Sequence, residues 1–391
     1  MKVIEVTNKE LAQEFIEVNV LMNKANANYI RTLDNEIDEI FDVEKNRNFK
    51  YGKATRWVLK NEKNNLIGRI AAFTNSKYIN YGTDFNVGGC GLFECINNQE
   101  AANKLFNTAK KWLIDEGMEA MDGPINFGDR DKWWGLLVEG FEKEPIYGMP
   151  FNPEFYQQLF ENYGFQNYYN QFWYNRNPKD PLSDKITERH ARFTKKPDYY
   201  CKHFKKNELA KFAQDFVTVY NAAWAQHGEA KEISHSQVVN ILKKMKPIMD
   251  EKLIWFAYYK NEPIAMWINL PDLNQYFKHF NGKFGWLQKL QLLWMQKMNK
   301  ATKFMGHSFG VVPKYQALGI DSYLIFEGSK QFRTTSIYEE IEMGWAADWN
   351  PKMVNIYKSI GGKQSRRMVT YRYIFDDKYP FERHPEMNYK N

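Results

Sequence analysis

One pattern occurs twice in this 391-residue chain, as "FNPEFYQQLFENYGF" at residues 151–165 and as "WNPKMVNIYKSIGG" at residues 349–362. Each copy predicts a short helix, because asparagine caps a helix N-terminus, proline fits the first turn and glycine follows the last turn. Asn152 and Asn350 differ by 198 positions, and Gly164 and Gly361 differ by 197. The common offset indicates an internal duplication.

Other fragments repeat at nearly the same distance. "ELA" occurs at residues 10–12 and 208–210, and "KNE" occurs at residues 60–62 and 260–262. Each half also contains two apolar runs separated by a polar turn, "ATRWVLKNEKNNLIGRIAAF" and "KLIWFAYYKNEPIAMWINL", which predict strand hairpins. The polar segment "NRNPKDPLSDK" contains two prolines and separates the halves. We therefore predict two domains, residues 1–178 and residues 179–391.

The composition excludes several function classes. Hydrophobic residues make up 43% of the chain, which is enough for packed cores. The net charge of +7 is spread in short clusters and favours anionic small molecules or weak nucleic-acid contact over a dedicated DNA-binding surface. Three cysteines without a CxxC pair predict neither disulfides nor a metal site. Since no signal-like or membrane-spanning apolar run occurs, we expect a cytoplasmic protein without stable membrane insertion.

The segment "FMGHSFGVVPKYQALGIDSYLIFEGSK" (residues 304–330) predicts a strand, a turn and a helix that begins near Asp321. Such a turn leaves backbone N–H groups free at the positive end of the helix dipole, which favours phosphate binding. "QALGID" after "GVV" resembles the Gln/Arg-x-x-Gly-x-Gly/Ala loop of GNAT-superfamily acyltransferases, although Asp321 takes the last small position. The resemblance implies acetyl-coenzyme A or a longer acyl-coenzyme A as cofactor, bound by Val311, Val312, Gln316, Ala317, Leu318, Gly319, Ile320 and Asp321.

A second resemblance lies in the repeated pattern itself. Asn350, Met353, Tyr357 and Gly361 match the Asn-x-x-(small or apolar)-x-x-x-Tyr-x-x-x-Gly helix of GNAT enzymes. It implies that Asn350 contributes to cofactor binding and that Tyr357 is the general acid, since the departing thiolate needs a proton. The alternative is a tyrosine packed on an apolar helix face.

A general base must take a proton from the attacking amine. Glu342 in "YEEIEMGWA" and Asp348 before the second Asn-Pro helix are the acids closest in sequence to the expected reaction centre. Either could instead be a solvated or helix-starting carboxylate. His307, on the strand before the loop, is a third candidate.

The first half lacks a comparable loop, because no glycine occurs between Gly91 and Gly117. We expect it to be a GNAT-like domain without cofactor binding, whose role is either structural or to shape the substrate site. Its insertion "NFGDRDKWWG" (residues 126–135) either lines a substrate cleft or forms a surface turn. The candidate substrate-binding residues there are Asp129, Arg130, Trp133 and Trp134.

An insertion in the second half carries apolar residues at helical spacing, at Trp286, Leu287, Leu290, Leu293, Trp294 and Met298. This spacing predicts a helix that packs on the core. An alternative is an apolar lid over a long acyl chain or a lipid surface.

The expected fold is α/β (α+β), with two GNAT-like domains in tandem, each a twisted, mostly antiparallel mixed sheet flanked by helices. The resemblance implies an acyl-coenzyme A-dependent N-acyltransferase, most simply an N-acetyltransferase. Its acceptor would be a small-molecule or peptide amine that attacks the thioester directly. Two alternatives are an aminoacyl-tRNA-dependent transferase resembling the Fem family and a non-catalytic binding protein on the same scaffold. The acceptor, the acyl-chain length and the oligomeric state are open.

Overall fold

The computed structural model describes residues 1–79, 83–128, 130–224, 232–335 and 337–387. The first half contains strands β1 (Lys2–Glu5), β2 (Ala54–Lys60), β3 (Leu66–Phe73), β4 (Val87–Cys95), β5 (Ala120–Gly123), β6 (Leu136–Glu139) and β7 (Gln166–Arg176). Its helices are α1 (Lys9–Asn23), α2 (Asp34–Ile40), α3 (Gln99–Asp115) and α4 (Tyr156–Tyr163).

The second half repeats this succession with additional helices. Its strands are β8 (Tyr199–His203), β9 (Ile254–Tyr259), β10 (Glu262–Pro271), β11 (Lys303–Val311), β12 (Glu340–Ala347) and β13 (Lys363–Ile374). Its helices are α5 (Asp184–Ala191), α6 (Leu209–Trp224), α7 (His235–Met245), α8 (Asn274–Phe277), α9 (Trp286–Lys297), α10 (Ile320–Thr335) and α11 (Pro351–Ser359). Among the described residues, no helix combines the length and apolarity that crossing a bilayer requires.

The strands form one sheet with the order β1-β2-β3-β4-β5-β13-β7-β12-β11-β10-β9-β8, and β6 also pairs with β13. The predicted mixed α/β class with mostly antiparallel strands is confirmed. The closing strands, however, are exchanged between the halves: β13 lies beside β5, and β7 lies beside β12. The sheet is therefore continuous, whereas the sequence predicted one sheet for each half.

The two predicted hairpins form as antiparallel pairs, β2 with β3 and β9 with β10. The two Asn-Pro helices form as well, but their starts differ. Asn350 caps α11, since its side chain accepts a hydrogen bond from Met353 N at 3.3 Å. Asn152 instead bonds both backbone groups of Leu137, at 2.9 and 3.1 Å, and α4 begins only at Tyr156.

Buried ion pairs join the exchanged strands to the rest of the sheet. Asp122 on β5 is fully buried and accepts two hydrogen bonds from Arg372 on β13, at 2.7 and 2.8 Å. Such a two-pronged pair matches the planar guanidinium to the carboxylate and fixes the register of the two strands. The last strand of the chain is thereby tied to the first half.

Candidate functional site

A cleft opens in the second half where β11 and β12 separate. These parallel strands pair only from Lys303 with Glu340 to Met305 with Glu342, after which β11 follows β10 and β12 follows β7. Along the rest of β11, the edge that faces β12 has no strand partner in the described chain. The cleft has a volume of about 350 Å³ and is lined by residues that include Trp224, His307, Phe309, Trp345, Ile356 and Tyr357.

Tyr357 forms part of the cleft wall. The Asn350 cap and the proline in the first turn start α11, and this helix directs Tyr357 to a position where its ring lies 5.6 Å from that of Tyr174. The Tyr357 hydroxyl has no hydrogen-bond partner among the described residues. Desolvation by burial raises the pKa of the Tyr357 phenol. The phenol is therefore protonated at neutral pH, and its O–H group can donate a hydrogen bond to a group in the cleft.

The loop between β11 and α10 is exposed from Gln316 to Leu318, and Gly319 is buried. Ala317 and Gly319 adopt left-handed φ angles of 61° and 91°, and the Gln316 side chain closes the turn by donating to Val311 O at 3.1 Å. Six consecutive backbone N–H groups, those of residues 317–322, have no acceptor in the described part of the chain. Because they lie at the N-terminus of α10, they form a site suited to an anion.

Arg189 on α5 adds a cation that the sequence did not reveal. Its Nη1 atom lies 4.0 Å from Asp321 Oδ2 and 3.4 Å from Ser322 Oγ, and its aliphatic part packs beside Gly319. The guanidinium therefore offsets the negative charge that Asp321 places in the loop. No local motif could have indicated Arg189, because α5 belongs to a distant segment of the chain.

The two predicted carboxylate bases are both engaged by arginine side chains. Glu342 is buried in an ion pair with Arg366 at 2.9 Å, and desolvation by burial raises the pKa of its carboxyl. Asp348 accepts hydrogen bonds from Asn170 Nδ2 at 2.7 Å and Arg383 Nη2 at 2.5 Å. Neither carboxylate lines the cleft. His307 does line it, and its side chain is exposed.

The first-half insertion reaches the cleft of the second half. Asp131, which no sequence pattern indicated, lines both the cleft and the larger groove beside it, and Trp133 lines the groove. Arg130 lies 5.6 Å from the ring of Trp134. Asp129 lies outside the described residues.

Trp134 has a structural position. It is 6% exposed, and its Nε1 donates to Tyr169 OH at 2.8 Å. The predicted insertion therefore contributes to the site through Asp131 and Trp133, while Trp134 anchors it to β7.

The groove runs between the halves and has a volume of about 980 Å³. It meets the cleft at His307 and Ser308, which line both cavities. The second half supplies an apolar wall that includes Phe216, Tyr220, Val238, Ile241, Leu242 and Met245. The first half supplies a polar wall that includes Glu36, Lys45, Asn46, Arg47, Asn48 and Lys132. A ligand with a long apolar part and a polar head matches these walls.

The corresponding region of the first half is filled by its own side chains. The Tyr156 hydroxyl donates to Glu94 Oε2 and accepts from Cys95 N, both at 2.8 Å, and Arg69 lies 3.5 Å from Glu94. The remaining cavity measures about 70 Å³. At the start of α3, Asn98 accepts from Ala101 N at 2.8 Å, so this turn has fewer free donors than the loop before α10.

Comparisons with solved structures identify the fold. The chain aligns with a tandem GNAT protein from the clavulanic acid biosynthesis pathway over 97% of this chain and 99% of that one, with a TM-score of 0.52 and 6% identity. It also aligns, over 95% of its length, with a structure described as a GCN5-related glucosamine N-acetyltransferase region in a fungal multi-domain GH3 beta-N-acetylglucosaminidase, with a TM-score of 0.54 and 11% identity. The match spans 38% of that longer chain.

Two curated proteins are similar in sequence. The chain is 24% identical over 323 residues to Protein YghO of Escherichia coli (strain K12), which covers 81% of this chain and 80% of YghO. It is 23% identical over 378 residues to the bacterial ceramide synthase of Caulobacter vibrioides (strain NA1000 / CB15N), which covers 95% of this chain and 96% of that protein. No protein-family model matches the chain.

Proposed function

We propose that this chain, whose fold is that of the tandem GNAT proteins, is an acyl-coenzyme A-dependent N-acyltransferase. The observation that carries the proposal is that β11 lines the apolar cleft beside Tyr357 and leads, after Val311, directly into the anion site before α10. Acyl-coenzyme A presents the same succession of groups: a charged pyrophosphate, a linear arm with two amides, and a thioester.

The binding roles follow from this match. The N–H groups of residues 317–322, with Arg189 beside them, would hold the pyrophosphate. The unpaired edge of β11 offers backbone groups to the amides of the linear arm, as a sheet edge does to an added strand. Asn350 contributes indirectly, because its cap orients the helix that carries Tyr357.

The chain's own residues can manage the protons of the reaction. The amine attacks the thioester carbonyl carbon, so a C–N bond forms and the C–S bond breaks. Tyr357 would give its proton to the leaving thiolate. The carboxylates of Glu342 and Asp348 are held by Arg366 and Arg383, so we assign the proton acceptor for the attacking amine to His307. An imidazole suits this role because its ordinary pKa lies near neutrality.

The acceptor is proposed to be a long-chain amine. The apolar wall of the groove meets the cleft at His307, so an alkyl chain can lie along α7 while its amine reaches the thioester. The similarity to a bacterial ceramide synthase supports this assignment, since a ceramide is the amide of a long-chain amino alcohol. We therefore propose long-chain amino alcohols, rather than small polar amines or peptides, as the acceptors.

The test begins with calorimetric titration of the full chain with acetyl-coenzyme A and a long-chain acyl-coenzyme A. We expect Arg189→Gln to weaken binding at least about tenfold, since a charge-assisted contact to phosphate contributes more than 1.4 kcal/mol. Arg192→Gln, an exposed change just after the same helix, is the matched control. Gly319→Trp, which obstructs the loop, should also reduce binding. Failure of wild type to bind any acyl-coenzyme A would refute the proposal.

The chemical step is tested with Tyr357→Phe and its neighbour Tyr174→Phe. Loss of a general acid lowers kcat by about 10²–10⁴-fold, so Tyr357→Phe should show this fall with an unchanged affinity for acyl-coenzyme A. Tyr174→Phe removes a hydroxyl close to the cleft and should retain activity. Amide formation with a long-chain amino alcohol and with a short polar amine is followed by mass spectrometry. Equal fall in both variants would contradict the role of Tyr357.

A further inference from the structure

Helix α9 presents an apolar face to solvent. On one side, Leu292 and Met295 pack into a cluster with Phe277 and Phe280. On the other side, six large apolar side chains are 53–71% exposed, namely Trp286, Leu287, Leu290, Leu293, Trp294 and Met298. The expectation that these six pack on the core is therefore wrong. At 100° per residue they cover about 140° of the helix surface, which is the arrangement of a helix that binds an apolar surface.

The same segment is strongly basic. No aspartate or glutamate occurs from residue 273 to residue 320. Lys283, Lys289, Lys297 and Lys300 surround the apolar side chains, and none of the four forms an ion pair with a described residue. We call the six apolar residues and these four lysines the docking face.

Helix α7 extends the docking face toward the groove. Gln296 on α9 donates to Pro247 O at 3.1 Å, so the end of α7 lies against α9. The last turn of α7 and the residues after it add Lys243, Lys244 and Lys246 without an intervening acid. The opposite side of α7 lines the groove through Val238, Leu242 and Met245. Helix α7 therefore adjoins the docking face on one side and forms part of the apolar wall of the groove on the other.

We propose that the docking face binds the surface of an anionic phospholipid bilayer, with α9 lying in the plane of the membrane interface. Tryptophan prefers this interface, and lysines beside it reach the headgroups while their methylene stems stay apolar. Clustered lysines without acids match the negative charge of such a membrane. A second copy of the chain is a poorer occupant, because it would bring lysines against lysines.

The test is flotation of the full chain with vesicles of phosphatidylcholine alone and with vesicles in which about a third of the lipid is phosphatidylglycerol. We expect binding to the anionic vesicles, weakened at least about tenfold by the triple variant Trp286→Gln, Leu290→Gln, Trp294→Gln. The matched control replaces three exposed apolar residues elsewhere, Val43→Gln, Ile96→Gln and Ile114→Gln, and should bind like wild type. Both variants change exposed side chains, so both should fold.

The charge contribution is tested separately. Replacing Lys283, Lys289, Lys297 and Lys300 by glutamine should weaken binding, and added salt should do the same for wild type. Replacing exposed lysines elsewhere, at Lys63, Lys179 and Lys195, should not. Absence of vesicle binding, equal binding to neutral vesicles, or binding that survives the α9 variant would overturn the proposal. The proposal would also be overturned if light scattering showed a dimer that the α9 variant abolishes, and if the wild-type chain did not bind vesicles. The assay needs neither acyl-coenzyme A nor turnover, so its outcome is independent of the proposed enzymatic activity.

Discussion

Replacing Asp272 by asparagine is expected to stabilise the protein at neutral pH. Asp272 follows β10, is 3% exposed and accepts hydrogen bonds from Tyr147 N at 2.9 Å and Asn274 N at 3.1 Å. Tyr147 OH in turn accepts a hydrogen bond from Lys132 Nζ at 2.6 Å, and Lys132 belongs to the insertion that carries Asp131 to the cleft. Asp272 thus fixes that insertion, but at neutral pH it does so with a buried charge.

The magnitude follows from the pKa of this carboxyl. Desolvation by burial raises the pKa of Asp272 from 3.8 to about 6. At 1.36 kcal/mol for each pKa unit, the difference corresponds to about 3 kcal/mol. Since the folded state holds the proton more tightly than the unfolded state, the protonated group's stabilisation is full below pH 4 and is lost as the pH rises through about 6. An asparagine keeps an acceptor for both N–H groups and carries no charge at any pH.

The assay is thermal unfolding followed by tryptophan fluorescence from pH 4.5 to pH 7.5. We expect the unfolding temperature of Asp272→Asn, relative to wild type, to rise across this range as wild type loses about 2 kcal/mol, the part of the total that lies above pH 4.5. Asp184→Asn, which changes an exposed aspartate in the first turn of α5, should follow wild type. A difference for Asp272→Asn that is constant with pH, or that grows as the pH falls, would refute the reasoning.

Two further substitutions probe the packing around the site. Asp122→Asn leaves Arg372 buried without its charge partner and should lower the free energy of unfolding by about 3–5 kcal/mol in urea titration; a loss below about 1 kcal/mol would contradict the assigned role of the pair. Gly310→Ala places a Cβ 2.4 Å from the ring of Trp224 in the cleft wall and should cost about 1–3 kcal/mol in the same assay. Gly306→Ala, on the same strand, finds its nearest neighbour at 3.6 Å and should be tolerated; equal losses at the two glycines would argue against the close approach of Trp224.

The features predicted correctly from sequence are local ones, each determined by residues within a single short segment of the chain. The hairpins, the helix from Pro351 and the exposed loop before α10 depend on turn, cap and glycine positions that lie within each segment. The two Asn-Pro pairs show that the same local pattern can have different hydrogen-bond partners in the folded protein. Asn350 caps its helix, whereas Asn152 bonds Leu137, a partner supplied by the tertiary structure.

The features missed depend on partners that are distant in sequence. The alternation of residues in β7 and β13 predicts strands but does not say which strand lies beside them, so the exchange between the halves could not be foreseen. Arg189 reaches the loop from α5, and Glu342 meets Arg366 from another strand. The spacing in α9 defined a helix and an apolar face, yet spacing alone cannot tell a face that meets the core from one that meets solvent.

The two halves line different walls of the groove. The first half, which has no exposed anion-binding loop, therefore still contributes residues to the candidate site. In the first half, Tyr156, Glu94 and Arg69 occupy the region where the second half has its cleft. That half instead supplies the polar wall of the groove and the insertion with Asp131. Because the groove is walled by both halves, separating them would remove it even if each half kept its fold. Under the proposed function, selectivity for a long-chain amine would therefore reside in the contact between the halves, and the proton chemistry would reside in the second half.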